Sequence, residues 1–258
     1  SRAQDMTKEI LESAFALHQQ GRLDEARRLY AAVVEADPTH VDALHLSALL
    51  AHESARLEEA EVFLQRALAL RSDVGQIYTS YARVLHDSAR FGEALASYDK
   101  AIQINRLDAD ALCERGVLLQ DMKRFEDALA SYDNAILVMP DEALPYGNRG
   151  GVLQDLDRYA AAVASYDQAV CIDPAYAKAF SNRGVALRRL KRLEEAVASY
   201  ETALSIDPDL ADAHVNLANA LGDLERFDEA IKSYHLSLSL KPDQPEALCG
   251  LGNALQKM

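Results

Sequence analysis

The chain has 258 residues, 49% of them hydrophobic and 26% charged, with a formal net charge of −14 and a pI near 4.9. So acidic a chain lacks the basic field that nonspecific binding to nucleic acid or an anionic membrane surface requires, and no apolar run reaches the length of a membrane span. Cys113, Cys171 and Cys249 form no CxxC pair, which points to free thiols, a reducing compartment and a cytoplasmic location.

A lead over residues 1–6, without signal-peptide character, precedes a unit that recurs every 34 residues without a gap. Self-similarity at such a period is the signature of a repeat array. The units cover 7–40, 41–74, 75–108, 109–142, 143–176, 177–210 and 211–244, with a half unit at 245–258. The first is the least regular, with Gly21 at its turn; the second and third lack a terminal proline. The fourth to sixth share Arg115-Gly116, Arg149-Gly150 and Arg183-Gly184, and the seventh carries Asn216-Leu217-Ala218 instead. The arginine of these pairs is expected to pack its stem and send its guanidinium to the edge of a groove.

One unit explains the pattern. In 177–210, apolar residues recur at helical spacing twice, as Phe180, Gly184 and Leu187 and then as Leu193, Val197, Tyr200 and Leu204. Leu190-Lys191-Arg192 reads as a turn between two helices. Glu194 and Glu195 suit the positive end of the second helix dipole, and Arg188, Arg189 and Arg192 the negative end of the first. Asp207-Pro208 is expected to end the second helix, because proline cannot continue it. Gly184 and Ala196 permit a close approach of the pair, and Tyr200 fills the gap toward the next unit.

Across the units, position eight is always small (Ala14, Ala48, Ala82, Gly116, Gly150, Gly184, Ala218, Gly252). Position twenty is always alanine, from Ala26 to Ala230, and position twenty-four is tyrosine except at Leu64. Proline stands at position thirty-two in Pro38, Pro140, Pro174, Pro208 and Pro242. This pattern resembles the tetratricopeptide repeat family over 7–258, although the family's tryptophan at position four is absent and Ser72 and Arg106 replace two linker prolines. The resemblance implies an all-α, right-handed superhelical solenoid of antiparallel helix pairs, with the first helix of each unit lining a concave groove.

In that register, position six carries Asn148, Asn182 and Asn216, with Asn219 and Asn253 one turn further along their helices. A carboxamide both donates and accepts, so a row of amides can pair with the backbone of an extended peptide whatever its sequence. The row is similar to the asparagine ladder in the repeat arm of O-linked N-acetylglucosamine transferases. Position twelve carries His18, His52, His86, Gln120, Gln154 and Arg188. Three histidines at the repeat period could suggest a metal, but neighbouring helix axes about 8–10 Å apart exceed the reach of zinc–nitrogen bonds of about 2.0 Å. His40, Asp42 and His45 lack a fourth ligand, so no metal and no cofactor is expected. The histidines read instead as a groove whose charge rises at mildly acidic pH. Lys178, Arg188 and Arg189 form a positive patch suited to an acidic partner segment.

No phosphate loop, HExxH motif or nucleophile elbow is present, and Gly250-Leu251-Gly252 lacks the context of a dinucleotide fingerprint. Position five holds no lysine, so the carboxylate clamp that some members of the family use for chaperone tails is missing. The expected function is a non-catalytic interaction module that binds a protein or peptide segment, with no nucleic-acid or membrane partner. Two alternatives share these features: a substrate-recruiting arm of a larger glycosyltransferase, and a self-associating scaffold. Both follow from an array ending at Met258 after one helix, without a capping helix. Such an end suits a piece of a longer protein, or a second copy covering the apolar surface of residues 247–255.

Overall fold

The structure, a computed structural model, describes residues 2–258. All fifteen elements among the described residues are α-helices, and backbone contacts divide the chain into two bodies, Ser1–Arg124 and Phe125–Met258. The first body contains α1 (Arg2–Gln19), α2 (Leu23–Ala36), α3 (Val41–Glu53), α4 (Leu57–Leu70), α5 (Gly75–Asp87), α6 (Phe91–Ile104) and α7 (Ala109–Asp121). The second contains α8 (Phe125–Val138), α9 (Ala143–Asp155), α10 (Tyr159–Ile172), α11 (Ala177–Arg189), α12 (Leu193–Ile206), α13 (Ala211–Asp223), α14 (Phe227–Leu240) and α15 (Pro245–Lys257). Helix α1 already begins at Arg2, ahead of the array's expected start at Thr7.

The helices stack in sequence, each on the next, within each body. First helices of successive repeats also approach within 8 Å between Cα atoms: α1, α3, α5 and α7 in the first body, and α9, α11, α13 and α15 in the second. Among the described residues, successive second helices within either body do not. Each stack is therefore tighter on its first-helix layer, and that layer forms the inner side of each body.

The invariant positions are where the two layers meet. Ala26, Ala60, Ala94, Ala128, Ala162, Ala196 and Ala230 are fully buried. A Cβ added to Gly184 would stand 2.6 Å from Tyr200 Cε1, and one on Gly150 2.6 Å from Tyr166 Cε1. Tyr200 therefore packs on the first helix of its own repeat. The tyrosine at this position also reaches forward, since a Cβ on Gly250 would collide with the Tyr234 hydroxyl of the repeat before it. Ser97, Ser165 and Ser199 fasten the layers further, each donating to a first-helix carbonyl, of Tyr78 (2.9 Å), Tyr146 (3.1 Å) and Phe180 (3.1 Å).

Three expectations about local chemistry change. First, α12 ends at Ile206 before Asp207-Pro208 as expected, but the stop does not require proline: α4 ends at Leu70 before Ser72, and α6 at Ile104 before Arg106. At Asp37, Asn105, Asp173 and Asp207 the side chain also accepts from the backbone N–H two residues on, at 2.9–3.1 Å, a turn that competes with further helix. Second, Arg192 does not serve the end of the first helix. It is the residue preceding α12, and its guanidinium grips Glu195 at 2.6 Å. Arg22–Glu25, Arg90–Glu93 and Arg226–Glu229 repeat this arrangement at 2.6–2.7 Å. In the fifth repeat, where Ala161 replaces the acid, Arg158 turns to Glu126 at 2.5 Å.

Third, the arginines at position seven do not reach the groove edge. Arg115, Arg149 and Arg183 turn to the second-helix layer, meeting Asp99 (2.7 Å), Asp133 (2.6 Å) and Asp167 (2.6 Å) of the preceding repeat. A carboxylate at position twenty-five of the preceding repeat offers a charge-assisted partner there.

The turn within each repeat passes through left-handed backbone at one fixed position. Gly21 occupies it in the first repeat at φ +73°, and Ala55, Ala89, Lys123, Asp157, Lys191 and Glu225 occupy it afterwards at +56° to +61°.

Candidate functional site

In the second body the inner layer is built from α9, α11, α13 and α15, and these helices carry the asparagines. Asn148, Asn182, Asn216 and Asn219 are half-buried and Asn253 is exposed. Their state is set by the tyrosines beneath them. Tyr166 donates to Gln154 on its own first helix, and Asn182 of the next repeat lies beside the same hydroxyl. Tyr234 donates to Asn219 Oδ1 at 2.6 Å. Burial raises the Tyr166 hydroxyl well above the usual phenol range and pushes the Tyr234 hydroxyl up as well, so both stay protonated. Asn219 and Gln154 are thus oriented from below. By contrast, Asn148, Asn216 and Asn253 have no side-chain hydrogen-bond partner among the described residues.

Arg188 is not the free cation of a patch. It pairs with Asp223 of the next repeat at 2.7 Å, which leaves the exposed Lys178 and Arg189 as the positive groups there.

In the first body, the same two positions form a ladder that sequence reasoning missed. His18 meets Glu53 at 2.8 Å, His52 meets Asp87 at 2.6 Å and His86 meets Asp121 at 2.8 Å. Each links position twelve of one repeat to position thirteen of the next. The signal lay in the sequence: basic or aromatic-basic residues at twelve are followed, 35 residues on, by acids. That offset exceeds the repeat period by one, so a register comparison at fixed position hides it. His52 and His86 are therefore engaged with neighbouring repeats, and Gln120 lies half-buried on α7 of the same body. His40 accepts from the Ala43 N–H at the start of α3, and His45 pairs with Ser80 at 2.8 Å, so these two rings face different partners. Among the described residues no group of three histidine, cysteine or acidic side chains is placed to hold a metal ion, and no helix is long and apolar enough to cross a membrane. Leu248 and Leu255 on α15 are both more than half exposed.

Helix pairs repeated in register define a helical repeat protein. Family models described as TPR repeat match residues 153–191, 186–224 and 218–258, and models described as tetratricopeptide repeat match 17–84 and 75–106. The chain belongs to the tetratricopeptide repeat family, whose repeats act as protein-interaction scaffolds. No curated protein matches it in sequence.

Solved structures share the fold. A chain of the APC/C hetero-tetramer Cut9–Hcn1 superimposes over 97% of this chain with a TM-score of 0.73 at 17% identity, and this chain spans 52% of that one. A Pseudomonas aeruginosa pilF structure covers 83% of this chain, with 97% of its own length matched, a TM-score of 0.73 and 19% identity. YrrB, described as a TPR protein with an unusual peptide-binding site, covers 72% of this chain and 96% of itself, with a TM-score of 0.61 and 22% identity.

Proposed function

We propose that this chain is a non-catalytic module that holds an extended segment of a partner protein along the inner layer of its second body. The observation that carries the reading is the division among the asparagines. Asn219 is held by the Tyr234 hydroxyl, while Asn148 and Asn216 keep donor and acceptor uncommitted on the same layer. A polypeptide backbone presents one donor and one acceptor per residue, which is the complement of an unpaired carboxamide. Lys178 and Arg189 favour a segment carrying acidic residues nearby. YrrB's described peptide-binding site, in a protein of the same fold, supports a peptide as the ligand.

Backbone recognition makes a specific demand. Peptides selected for binding by display should lose affinity when alternate backbone nitrogens are methylated, because the donors that the amides need are removed. Selected peptides that bind equally well after methylation would place recognition in side chains and overturn the reading.

A further inference from the structure

One junction of the array differs from the others in a way that leaves room. Where repeats meet, position seven of the later repeat faces position twenty-five of the earlier one. Arg115–Asp99, Arg149–Asp133 and Arg183–Asp167 fill that slot with ion pairs, and Tyr81 fills it by accepting from Gln65 at 3.2 Å. Between the first two repeats the same positions hold Ser47 and Ala31. With the two smallest side chains of the series in place, the slot opens as a cavity of about 130 Å³, lined also by Leu50, Phe63, Arg27, Arg56 and Glu59.

The cavity has a definite chemistry. Ser47 is only 7% exposed, and its hydroxyl is buried with no hydrogen-bond partner. A buried hydroxyl left unpaired is costly, so a ligand that pairs with it gains. Leu50, Phe63 and Ala31 supply apolar surface. Arg27 and Arg56 both bear on Glu59, at 3.2 and 3.0 Å. Two guanidiniums sharing one carboxylate leave one positive charge over among these three groups. A dry cavity of about 150 Å³ admits a benzene ring, so this one takes an apolar body of about that size, with a charged head extending beyond it.

We propose that this slot binds a small apolar carboxylate, its body against Leu50 and Phe63 and its anionic head accepting from Ser47 and an arginine. Such a head exists both on free organic acids and on the carboxyl terminus of a polypeptide ending in an apolar residue. The site lies on the second-helix side of the first body and is independent of the asparagines.

Amide-resolved NMR titration of the full chain tests it, with benzoate, neutral benzamide, and acetyl-Gly-Gly-Leu bearing a free or amidated terminus as probes. Benzoate should shift the Ser47, Leu50 and Phe63 signals saturably and bind at least ten-fold tighter than benzamide; the tighter of benzoate and the free-terminus peptide identifies the source. The double variant Ser47→Arg, Ala31→Asp copies the filled junctions and should abolish the shifts. Should that variant melt early, Ser47→Ala and Arg27→Gln carry the test, each weakening benzoate several-fold with the fold intact. No shift at these residues with any probe, equal binding of benzamide, shifts that persist in the filled variant, or benzoate binding unchanged in Ser47→Ala and Arg27→Gln would overturn the proposal.

Discussion

Gly184 and Tyr200 are in contact with no room between them: a single methyl on the glycine would lie 2.6 Å from the ring. The second helix can sit this close only because position eight has no bulk. Gly184→Ala should therefore destabilise the chain by about 1–3 kcal/mol, the range for overpacking a filled core, read as a lower thermal midpoint. The hydroxyls above these contacts should behave differently from one another. Tyr200 Oη is buried without a hydrogen bond, whereas Tyr234 donates to Asn219. Tyr200→Phe should be neutral or slightly stabilising, while Tyr234→Phe should cost about 1 kcal/mol.

The turn position tests backbone strain separately from packing. Lys191 holds φ +61°, a conformation that costs an L-residue about 1–2 kcal/mol. Lys191→Gly should stabilise the chain by about 0.5–1 kcal/mol after the added chain entropy of glycine is subtracted. Gly21, at φ +73°, has nothing near its absent Cβ, so Gly21→Ala should destabilise by a comparable amount through backbone alone. Denaturant midpoints of the two variants should move in opposite directions.

His45 contributes to the pH response of the first body with a definite sign. Burial holds its pKa below the usual histidine value, against a smaller opposing pull from Asp42 and a further push down from Arg83. The folded form thus refuses a proton that the unfolded chain accepts below about pH 6.5. Because the unfolded state binds more protons there, stability falls as pH drops from that value toward the lowered folded one. His45→Gln should show a smaller loss of melting temperature between neutral and mildly acidic pH than the parent. An identical loss in both would remove His45 from the account.

Much of this architecture was legible in residues alone. Alanine at position twenty, small residues at eight and tyrosine at twenty-four are steric requirements of one contact, and a contact that recurs writes itself into the period. Charged partners were harder to read. Arg192 looked suited to a helix end by proximity in sequence, yet the i to i+3 spacing on the next helix gives it Glu195 directly. Arg183 has Asp167 sixteen residues back, on the opposite layer from the one expected. The ladder from His18 to Asp121 crosses repeats with an offset no single unit displays. Which asparagines are occupied was not visible at all, because it depends on where each tyrosine hydroxyl ends up rather than on what stands at position six.

Replacing Asn148, Asn182 and Asn216 together by alanine tests the central claim most directly. All three side chains lie at the inner layer of the second body and none sits in its fully buried core, so far-ultraviolet circular dichroism and melting should change little. Calorimetric titration with a display-selected peptide should then show affinity at least ten-fold weaker than for the parent chain. A triple variant that folds normally and binds the same peptide with unchanged affinity would contradict the account.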